Sequence, residues 1–327
     1  MPTPLKPLRI TLLALLAIEG ALRFAPQGYM VNTLGVRMRE IGERDAAPVQ
    51  IMGDSVSAAL KASVIADRIG KPAETVSNYS LPGTSPMFAY YTLKRQVAMG
   101  RTPRVIVYAP HPAHLGVPMV ERFIGRFATP REAWEFARGA RIDDTIFGAM
   151  CRASWTLRYR EELYGVVTQG DLEFFRTMKK PVESVTLSQQ PHPEPPEPPV
   201  REAFLAKDLP PTLFAPFSVH RYNARAIDAF CELAAAHDIA VLWVTLPGIA
   251  ALNDRWASGP DRAAYDAYLG ELARRHGNVT LLHREMETWP DREFGDPRHL
   301  NRHGSWKFSR QLGGELAVWM KARPLEK

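Results

Sequence analysis

The 327-residue chain has 46% hydrophobic and 23% charged residues, a composition typical of a globular protein and not of a disordered one. Its formal net charge is +6, but acidic residues interrupt the arginines, and no zinc-finger spacing, aromatic RNA-binding signature or long basic run is present. These features speak against a nucleic-acid-binding protein, and we expect no nucleic-acid partner.

The N-terminal segment, residues 1–30, is predicted to be a membrane anchor or signal segment. Lys6 and Arg9 precede an apolar run from Ile10 to Ile18, a layout typical of a secretory signal. The run is shorter than the roughly 20 residues of a membrane span. We favour an uncleaved anchor in the inner membrane, with the rest of the chain in the periplasm or outside the cell. A secreted protein is the other location that this layout allows. The alternative is an amphipathic helix packed on the domain.

Short apolar runs alternate with helical patterns through most of the remaining chain. The runs predict five buried strands, at 49–55, 75–80, 104–110, 239–247 and 279–285. Helices are predicted at 56–69, 87–99, 222–237, 262–276 and 305–320. This alternation indicates an α/β fold, a doubly wound, flavodoxin-like parallel sheet.

A long interruption, residues 112–218, is predicted to be a helical insertion or lid. It divides the sheet domain into a first part, 45–111, and a second part, 219–324. The insertion ends in a proline-rich stretch, QQPHPEPPEPPVRE, at 189–202. We interpret this stretch as an extended surface spacer, with a ligand for a proline-binding domain as the alternative.

Ser55 follows the first strand in the stretch Gly53-Asp54-Ser55. A strand-to-helix turn exposes a serine hydroxyl and directs backbone N–H groups toward a developing oxyanion. A serine in this position is a candidate nucleophile or a simple helix cap.

Asp296 and His299 follow the fifth strand, in the stretch Asp296-Pro-Arg-His299. A catalytic histidine needs a carboxylate to fix its ring and stabilise its cation. The spacing lets Asp296 hold one ring nitrogen of His299 while the other faces Ser55, which predicts a catalytic triad. His303 is a rival base that we interpret as structural.

The loops after the second and third strands are predicted to complete an oxyanion and substrate-binding site. Gly83 can bring its N–H close to a ligand. Asn78 is either a donor through its amide or a brace for the neighbouring loop. His111 or His114 is either a further donor or an ordinary loop histidine.

These motifs together resemble the SGNH, or GDSL, hydrolase superfamily. The resemblance lies in Gly53-Asp54-Ser55, in Asn78 with Leu81-Pro82-Gly83, and in Asp296-x-x-His299-Leu300-Asn301, and it covers roughly residues 49–111 and 220–322. In place of that family's G-x-N-D block, the chain has Ala109-Pro110-His111-Pro112. The overall pattern looks closer to a divergent, membrane-anchored branch from bacterial envelopes.

The resemblance implies a serine esterase that removes O-acyl groups from a carbohydrate or another envelope ester. Two alternatives stay open: an O-acyltransferase for a cell-surface polysaccharide, and a non-catalytic protein that binds glycans. We expect no cofactor and no metal, and we interpret Asp54 as a cap. Cys151 and Cys231 fit no metal-ligand spacing, and a disulfide between them stays open.

Overall fold

The computed structural model describes residues 13–14, 16–21, 46–160, 164, 168, 189–205, 209 and 216–323. Most of the predicted N-terminal anchor therefore lies outside the described residues. The chain divides into two compact units. The helical unit comprises Met1–Val36 and Met119–Val182, and the sheet unit comprises Arg37–Pro118 and Glu183–Lys327. The predicted insertion, 112–218, is thus divided between them.

The strands of the sheet unit confirm the predicted α/β class. They are β1 Val49–Gly53, β2 Val76–Asn78, β3 Val105–Ala109, β4 Ala240–Val244, β5 Gly248–Ile249, β6 Val279–His283 and β7 Thr288–Trp289. Within the described residues, the main sheet is parallel with the order β2-β1-β3-β4-β6. Counted along the chain this is the order 2-1-3-4-5, which flavodoxin-like sheets share. Strands β5 and β7 form a small parallel sheet that was not predicted.

The helices lie close to the predicted ranges, and further short ones connect them. In the sheet unit they are α1 Ser55–Ala58, α2 Ala62–Arg68, α3 Pro86–Ala98 and α4 Pro112–Leu115. The helical unit contributes α5 Val120–Arg122, α6 Pro130–Ala137, α7 Ile142–Ala153 and α8 Trp155–Arg158. The sheet unit resumes with α9 Arg221–Ala235, α10 Ala250–Ser258, α11 Pro260–Arg275 and α12 Arg302–Ala322.

Successive strand residues point to opposite faces of the main sheet, and helices cover both faces. Ile51 and Leu242 belong to a core formed with α2 and α12. Their neighbours Met52 and Trp243 belong to a second core, formed with α3, α9 and α11. This arrangement is compatible with the predicted doubly wound sheet, and it directs the carboxyl ends of the parallel strands to one edge.

The predicted helix 56–69 is two helices, α1 and α2. The break is stabilised from outside the helix, because Asn78 donates to the carbonyls of Ser57 and Leu60, at 2.9 and 3.0 Å. The N–H of Lys61 then donates to Ser309 Oγ at 2.8 Å. These partners replace the backbone hydrogen bonds that a continuous helix would make.

In the helical unit, short helices are capped by side chains. Thr129 and Glu132 form a capping box at the start of α6. At the start of α8, the carboxylate of Glu19 accepts hydrogen bonds from the N–H groups of Trp155 and Thr156, both at 3.0 Å. Among the residues that the structure describes, no helix is both long and apolar enough to span a membrane.

The two cysteines do not form the disulfide that the sequence left open. Cys151 and Cys231 are both free and buried. Burial raises the pKa of the Cys231 thiol to about 12, so this side chain behaves as a small apolar core residue.

Candidate active site

Ser55 is the first residue of α1, and the residue before it caps the helix. Asp54 is the N-cap, and its Oδ1 accepts a hydrogen bond from the N–H of Val56 at 3.0 Å. The alternative interpretation of Ser55 as the helix cap is therefore wrong. The Ser55 side chain is left partly exposed, and its backbone N–H has no acceptor within the helix.

Gly53 lets the end of β1 approach its neighbours closely. A Cβ atom at this position would lie 2.3 Å from Ser57 Oγ and 2.5 Å from the carbonyl oxygen of Ala109. No side chain fits there, so glycine is required by packing. The close approach fixes the turn that presents Ser55.

The loop before α12 holds Asp296 and His299 on the same side. Asp296 Oδ1 accepts hydrogen bonds from the N–H groups of Arg298 and His299, at 2.8 and 2.9 Å. The loop closes where the N–H of Gly295 donates to the carbonyl of His299 at 2.8 Å. One carboxylate oxygen thus shapes the turn, and the other stays available to the imidazole.

The predicted serine–histidine–aspartate arrangement is present in the structure. His299 Nε2 lies 2.8 Å from Ser55 Oγ, and His299 Nδ1 lies 2.7 Å from Asp296 Oδ2. Partial burial acts to raise the pKa of Asp296, but hydrogen bonds from the Arg298 and His299 N–H groups and the His299 ring outweigh it and lower the pKa. Asp296 is therefore ionised at neutral pH and accepts the proton on His299 Nδ1.

The proline-rich stretch, with the residues that follow it, braces this loop. We call residues 189–205 the strap. Arg201 Nη1 donates to the carbonyls of Phe294 and Gly295, at 3.0 and 3.1 Å, directly before Asp296. The N–H of Phe204 donates to the carboxylate of Asp291. Residues 191–200 form neither helix nor strand, as expected, but the strap is in contact with the candidate site and is more than a spacer.

Asp54 connects the turn after β1 with the loop after β3. Its Oδ2 accepts a hydrogen bond from the His111 N–H at 2.8 Å and lies 2.7 Å from His114 Nδ1. Burial acts to raise the pKa of Asp54, but the hydrogen bonds and charges of His114 and His111 outweigh it, so the pKa is lowered. The carboxylate serves as a cap, as predicted, and also positions the β3 loop.

His111 presents a neutral ring with one defined tautomer. Burial, followed by the charge of His114, lowers the pKa of His111 from 6.5 to about 3, so the ring is uncharged at neutral pH. Its Nδ1 accepts the N–H of Ala113 at 3.2 Å, which places the proton on Nε2. His111 Nε2 is therefore a hydrogen-bond donor, and in the described part of the chain it has no acceptor.

Asn78 does not serve as the predicted oxyanion donor. Its amide is fully buried and donates to the carbonyls of Ser57 and Leu60, and its Oδ1 accepts the N–H of Ser80 at 3.0 Å. Both amide hydrogens are already committed to these carbonyls. The structure supports the other interpretation, that Asn78 braces the loop beside α1.

Gly83 lies in a turn at the same edge of the sheet as Ser55. The chain after β2 stays beside β1, because the Leu81 N–H donates to the carbonyl of Gly53 at 3.0 Å. Two residues later Gly83 has a φ of 67°, a left-handed conformation that favours glycine. Its role as an oxyanion donor stays a prediction.

The residues after His299 are structural, including the rival base. His303 Nδ1 lies 2.6 Å from Oε2 of Glu293, which is fully buried. Leu300 is buried in the core, and Asn301 caps α12 by accepting the N–H of Gly304 at 3.0 Å. His303 is thus bound to a buried carboxylate, as its structural interpretation requires.

A small cavity lies beside the triad. Its volume is about 10 Å³, room for roughly one water-sized group. It is lined by Val56, Pro110, His111, Pro112, Leu246, Pro247, Gly248, Leu252, Met286, Pro297 and Arg298. Val56 follows Ser55 in the chain, and Pro297 and Arg298 lie between Asp296 and His299, so residues adjacent to each triad member line the cavity. Apart from His111 and Arg298, the side chains that line it are apolar.

Two contributors to the site, Arg201 and Arg298, were missed from the sequence. Arg201 lies in an irregular segment without periodicity, and Arg298 has no sequence feature that marks it apart from its place between Asp296 and His299. No local pattern could have placed Arg201 against the loop. Within the described residues, no group of three or more histidine, cysteine, aspartate or glutamate side chains is arranged to hold a metal ion.

Comparison with known proteins does not assign the chain to a family. No family model matches the sequence, and no curated protein matches it.

Proposed function

We propose that the chain is a serine-dependent ester hydrolase and a divergent member of the SGNH superfamily. One observation carries the proposal: the hydrogen-bonded chain from Ser55 Oγ through His299 to Asp296, with distances of 2.8 and 2.7 Å. A partly exposed serine bound to an imidazole, itself oriented by an ionised carboxylate, is the arrangement that activates a hydroxyl for acyl transfer.

In the proposed reaction, Ser55 Oγ attacks the carbonyl carbon of the ester, and His299 Nε2 takes the hydroxyl proton. Collapse of the tetrahedral intermediate breaks the bond to the alcohol oxygen, which leaves with the proton from His299. Water then attacks the acyl-enzyme, giving its proton to His299, which returns it to Ser55 as the carboxylic acid leaves. Asp296 keeps Nε2 directed at Ser55 and stabilises the imidazolium.

The oxyanion of each intermediate needs donors, and the chain lacks the asparagine of the usual G-x-N-D block. The Ser55 N–H is one donor, and the Gly83 N–H is a second, predicted one. The neutral ring of His111, with its proton on Nε2, supplies the third. A group that stays uncharged at neutral pH donates without repelling the imidazolium that forms on His299.

The substrate class follows from the resemblance and from the predicted location. We propose an O-acyl group on a carbohydrate or another ester of the cell envelope, with the protein anchored or secreted there. An acyltransferase would use the same acyl-enzyme, intercepted by a sugar hydroxyl in place of water. The partition of the acyl group between water and an added glycan distinguishes the two.

The test is Ser55→Ala, with Ser63→Ala as the matched control. Ser63 lies in α2, and among the described residues its buried Oγ has no hydrogen-bond partner. We expect Ser55→Ala to lower kcat for an acetyl ester by about four orders of magnitude or more. It should also abolish labelling by a fluorophosphonate, which adds to the wild-type peptide containing residue 55. Ser63→Ala should retain both, and hydrolysis that survives in folded Ser55→Ala would overturn the proposal.

A further inference from the structure

Arg298 stands out among the arginines near the triad because, within the described part of the chain, its guanidinium has no partner. Arg201 donates to backbone carbonyls, and Arg292 lies 3.8 Å from Glu197 and 3.9 Å from Glu293. For Arg298, the described residues offer only a bond from its backbone N–H to Asp296. No hydrogen bond or ion pair of its side chain occurs among them.

The carboxylate nearest in sequence is already engaged. Asp296 Oδ1 accepts two backbone N–H groups, and its Oδ2 binds His299. Among the residues that the structure describes, Arg298 therefore presents a positive charge with no paired carboxylate beside the triad. Its charge also acts on His111, which lines the same cavity. Burial and the charge of His114 are the main causes of the low pKa of His111; Asp54 opposes them, and the charge of Arg298 lowers the pKa further.

The cavity indicates on which side of the ester a negative charge would lie. Its volume of about 10 Å³ admits roughly one water-sized group, such as the methyl of an acetyl group. A carboxylate or phosphate is larger than one water-sized group. An anion that meets the half-buried guanidinium therefore belongs to the alcohol portion of the substrate, outside the cavity.

We infer that Arg298 is a specificity-determining residue that binds an anionic group, a carboxylate or a phosphate, on the alcohol portion of the ester. The inference rests on the proposed hydrolase function. Guanidinium groups bind both anions through charge-assisted, often bidentate hydrogen bonds. The substrate would then be the acetyl ester of an acidic molecule.

The experiment compares two aryl acetates that differ in one charge, 4-acetoxybenzoate and the neutral 4-acetoxybenzamide. We measure kcat/KM for both with the wild type, Arg298→Gln, Arg298→Lys and the control Arg274→Gln. Arg274 is exposed on α11 and pairs with Glu271, so its replacement removes the same charge away from the site. The different leaving groups of the two substrates affect every variant by the same factor, so they cancel when the benzoate-to-benzamide ratio is compared between variants.

We expect Arg298→Gln to lower the benzoate-to-benzamide ratio about tenfold, the loss of one charge-assisted hydrogen bond. Arg298→Lys should retain part of the preference, and Arg274→Gln all of it. Raising the salt concentration should reduce the preference of the wild type toward that of Arg298→Gln. A third substrate, 4-acetoxyphenyl phosphate, shows which anion is preferred.

The role of Arg298 would be overturned if the benzoate-to-benzamide ratio of kcat/KM were the same in the wild type and in Arg298→Gln. An equal fall of kcat/KM on both substrates gives this result. A wild type that hydrolyses neither ester and is not labelled at Ser55 would instead overturn the proposed function. The two failures are therefore distinguishable.

Discussion

Two histidines close together in the chain occupy opposite environments. His299 lies between Ser55 and Asp296, where its side chain is 32% exposed. His303 is 13% exposed and is bound to Glu293, which is buried. The first can exchange protons with a substrate, whereas the second satisfies an internal carboxylate.

We expect the same substitution at these two positions to have opposite effects. His299→Asn should lower kcat by about three orders of magnitude or more and leave the free energy of unfolding nearly unchanged. His303→Asn should lower the free energy of unfolding by about 1–3 kcal/mol, because the buried Glu293 Oε2 loses its hydrogen bond with His303, and retain kcat per folded molecule. Ester hydrolysis and urea unfolding measure the two quantities. A large loss of kcat in folded His303→Asn would make His303 the base.

His111 is expected to make stability depend on pH. Its pKa is about 3 in the folded protein, against an ordinary value of 6.5, so the unfolded chain binds more protons between these pH values. The folded state therefore loses stability as pH falls below about 6.5. Above that pH the group has no effect, because the ring is neutral in both states.

The variant His111→Asn isolates this contribution. Asparagine keeps an acceptor for the Ala113 N–H at the start of α4 but does not titrate. Between pH 6.5 and pH 5, we expect the wild type to lose about 1–2 kcal/mol more of its free energy of unfolding than the variant. Urea denaturation at several pH values measures the difference. If the free energy of unfolding changes with pH in the same way in the wild type and in His111→Asn, the His111 ring is not held neutral in the folded protein.

At the scale of elements, the strap is the segment whose position and contacts were least predictable from the sequence. Its prolines correctly predicted a segment without helix or strand, but nothing local indicated where it lies. Its contacts join residues far apart in the chain: Gln189 donates to Ser77 Oγ at 2.8 Å, and Trp306 Nε1 donates to the carbonyl of His192 at 3.2 Å. Such contacts depend on the completed fold and leave no periodic signal.

Arg201 is expected to be a positioning residue that acts through the Asp296 loop. Arg201→Ala removes the donor from the carbonyls of Phe294 and Gly295, so the loop and its carboxylate become less well fixed. We expect kcat to fall about tenfold with KM little changed, because substrate binding is not involved directly. Steady-state kinetics on an acetyl ester tests this expectation.

The control is Glu197→Ala, which removes an exposed strap residue paired with Arg292 at the surface. Glu197→Ala should leave kcat and KM nearly unchanged. Arg201→Lys should recover part of the lost kcat, since an ammonium can still donate to one carbonyl. A fall in stability without any change in kcat would show that the strap only stabilises the fold.

Local patterns predicted helices and strands well where burial is periodic, and less well where a distant partner intervenes. The apolar runs identified all the strands of the main sheet. The helix predicted at 56–69 is broken because Asn78 and Ser309 supply hydrogen bonds from elsewhere in the chain. The sequence left the side chain of Asn78 open between an oxyanion donor and a loop brace, because its sequence context cannot show that its amide is already bonded.

At the scale of the whole molecule, topology accounts for why the site residues could be predicted at all. Loops after parallel strands meet at one edge, so Ser55 after β1, His111 after β3 and His299 after β6 were expected near one another. The distances between these residues could be known only from the three-dimensional structure. The same is true of the role of Asp54, which links the turn after β1 with the loop after β3.

The cavity is a product of this assembly, because its walls come from loops that follow β1, β3, β4 and β6. We expect its small volume to favour acetyl over butyryl esters by at least about tenfold in kcat/KM. Met286→Ala should reduce this preference by enlarging the cavity. Met99→Ala, on an exposed methionine, is the matched control. Equal rates for acetyl and butyryl 4-nitrophenyl esters in the wild type would show that the cavity does not receive the acyl group.

The hydrogen bond between Ser55 and His299 joins residues separated by 244 positions in the chain. During synthesis the nucleophile is therefore completed long before its base exists. A nascent chain carries an ordinary, unreactive hydroxyl until the segment before the final helix docks. For the proposed hydrolase, we therefore expect no ester hydrolysis from any product that ends before residue 299.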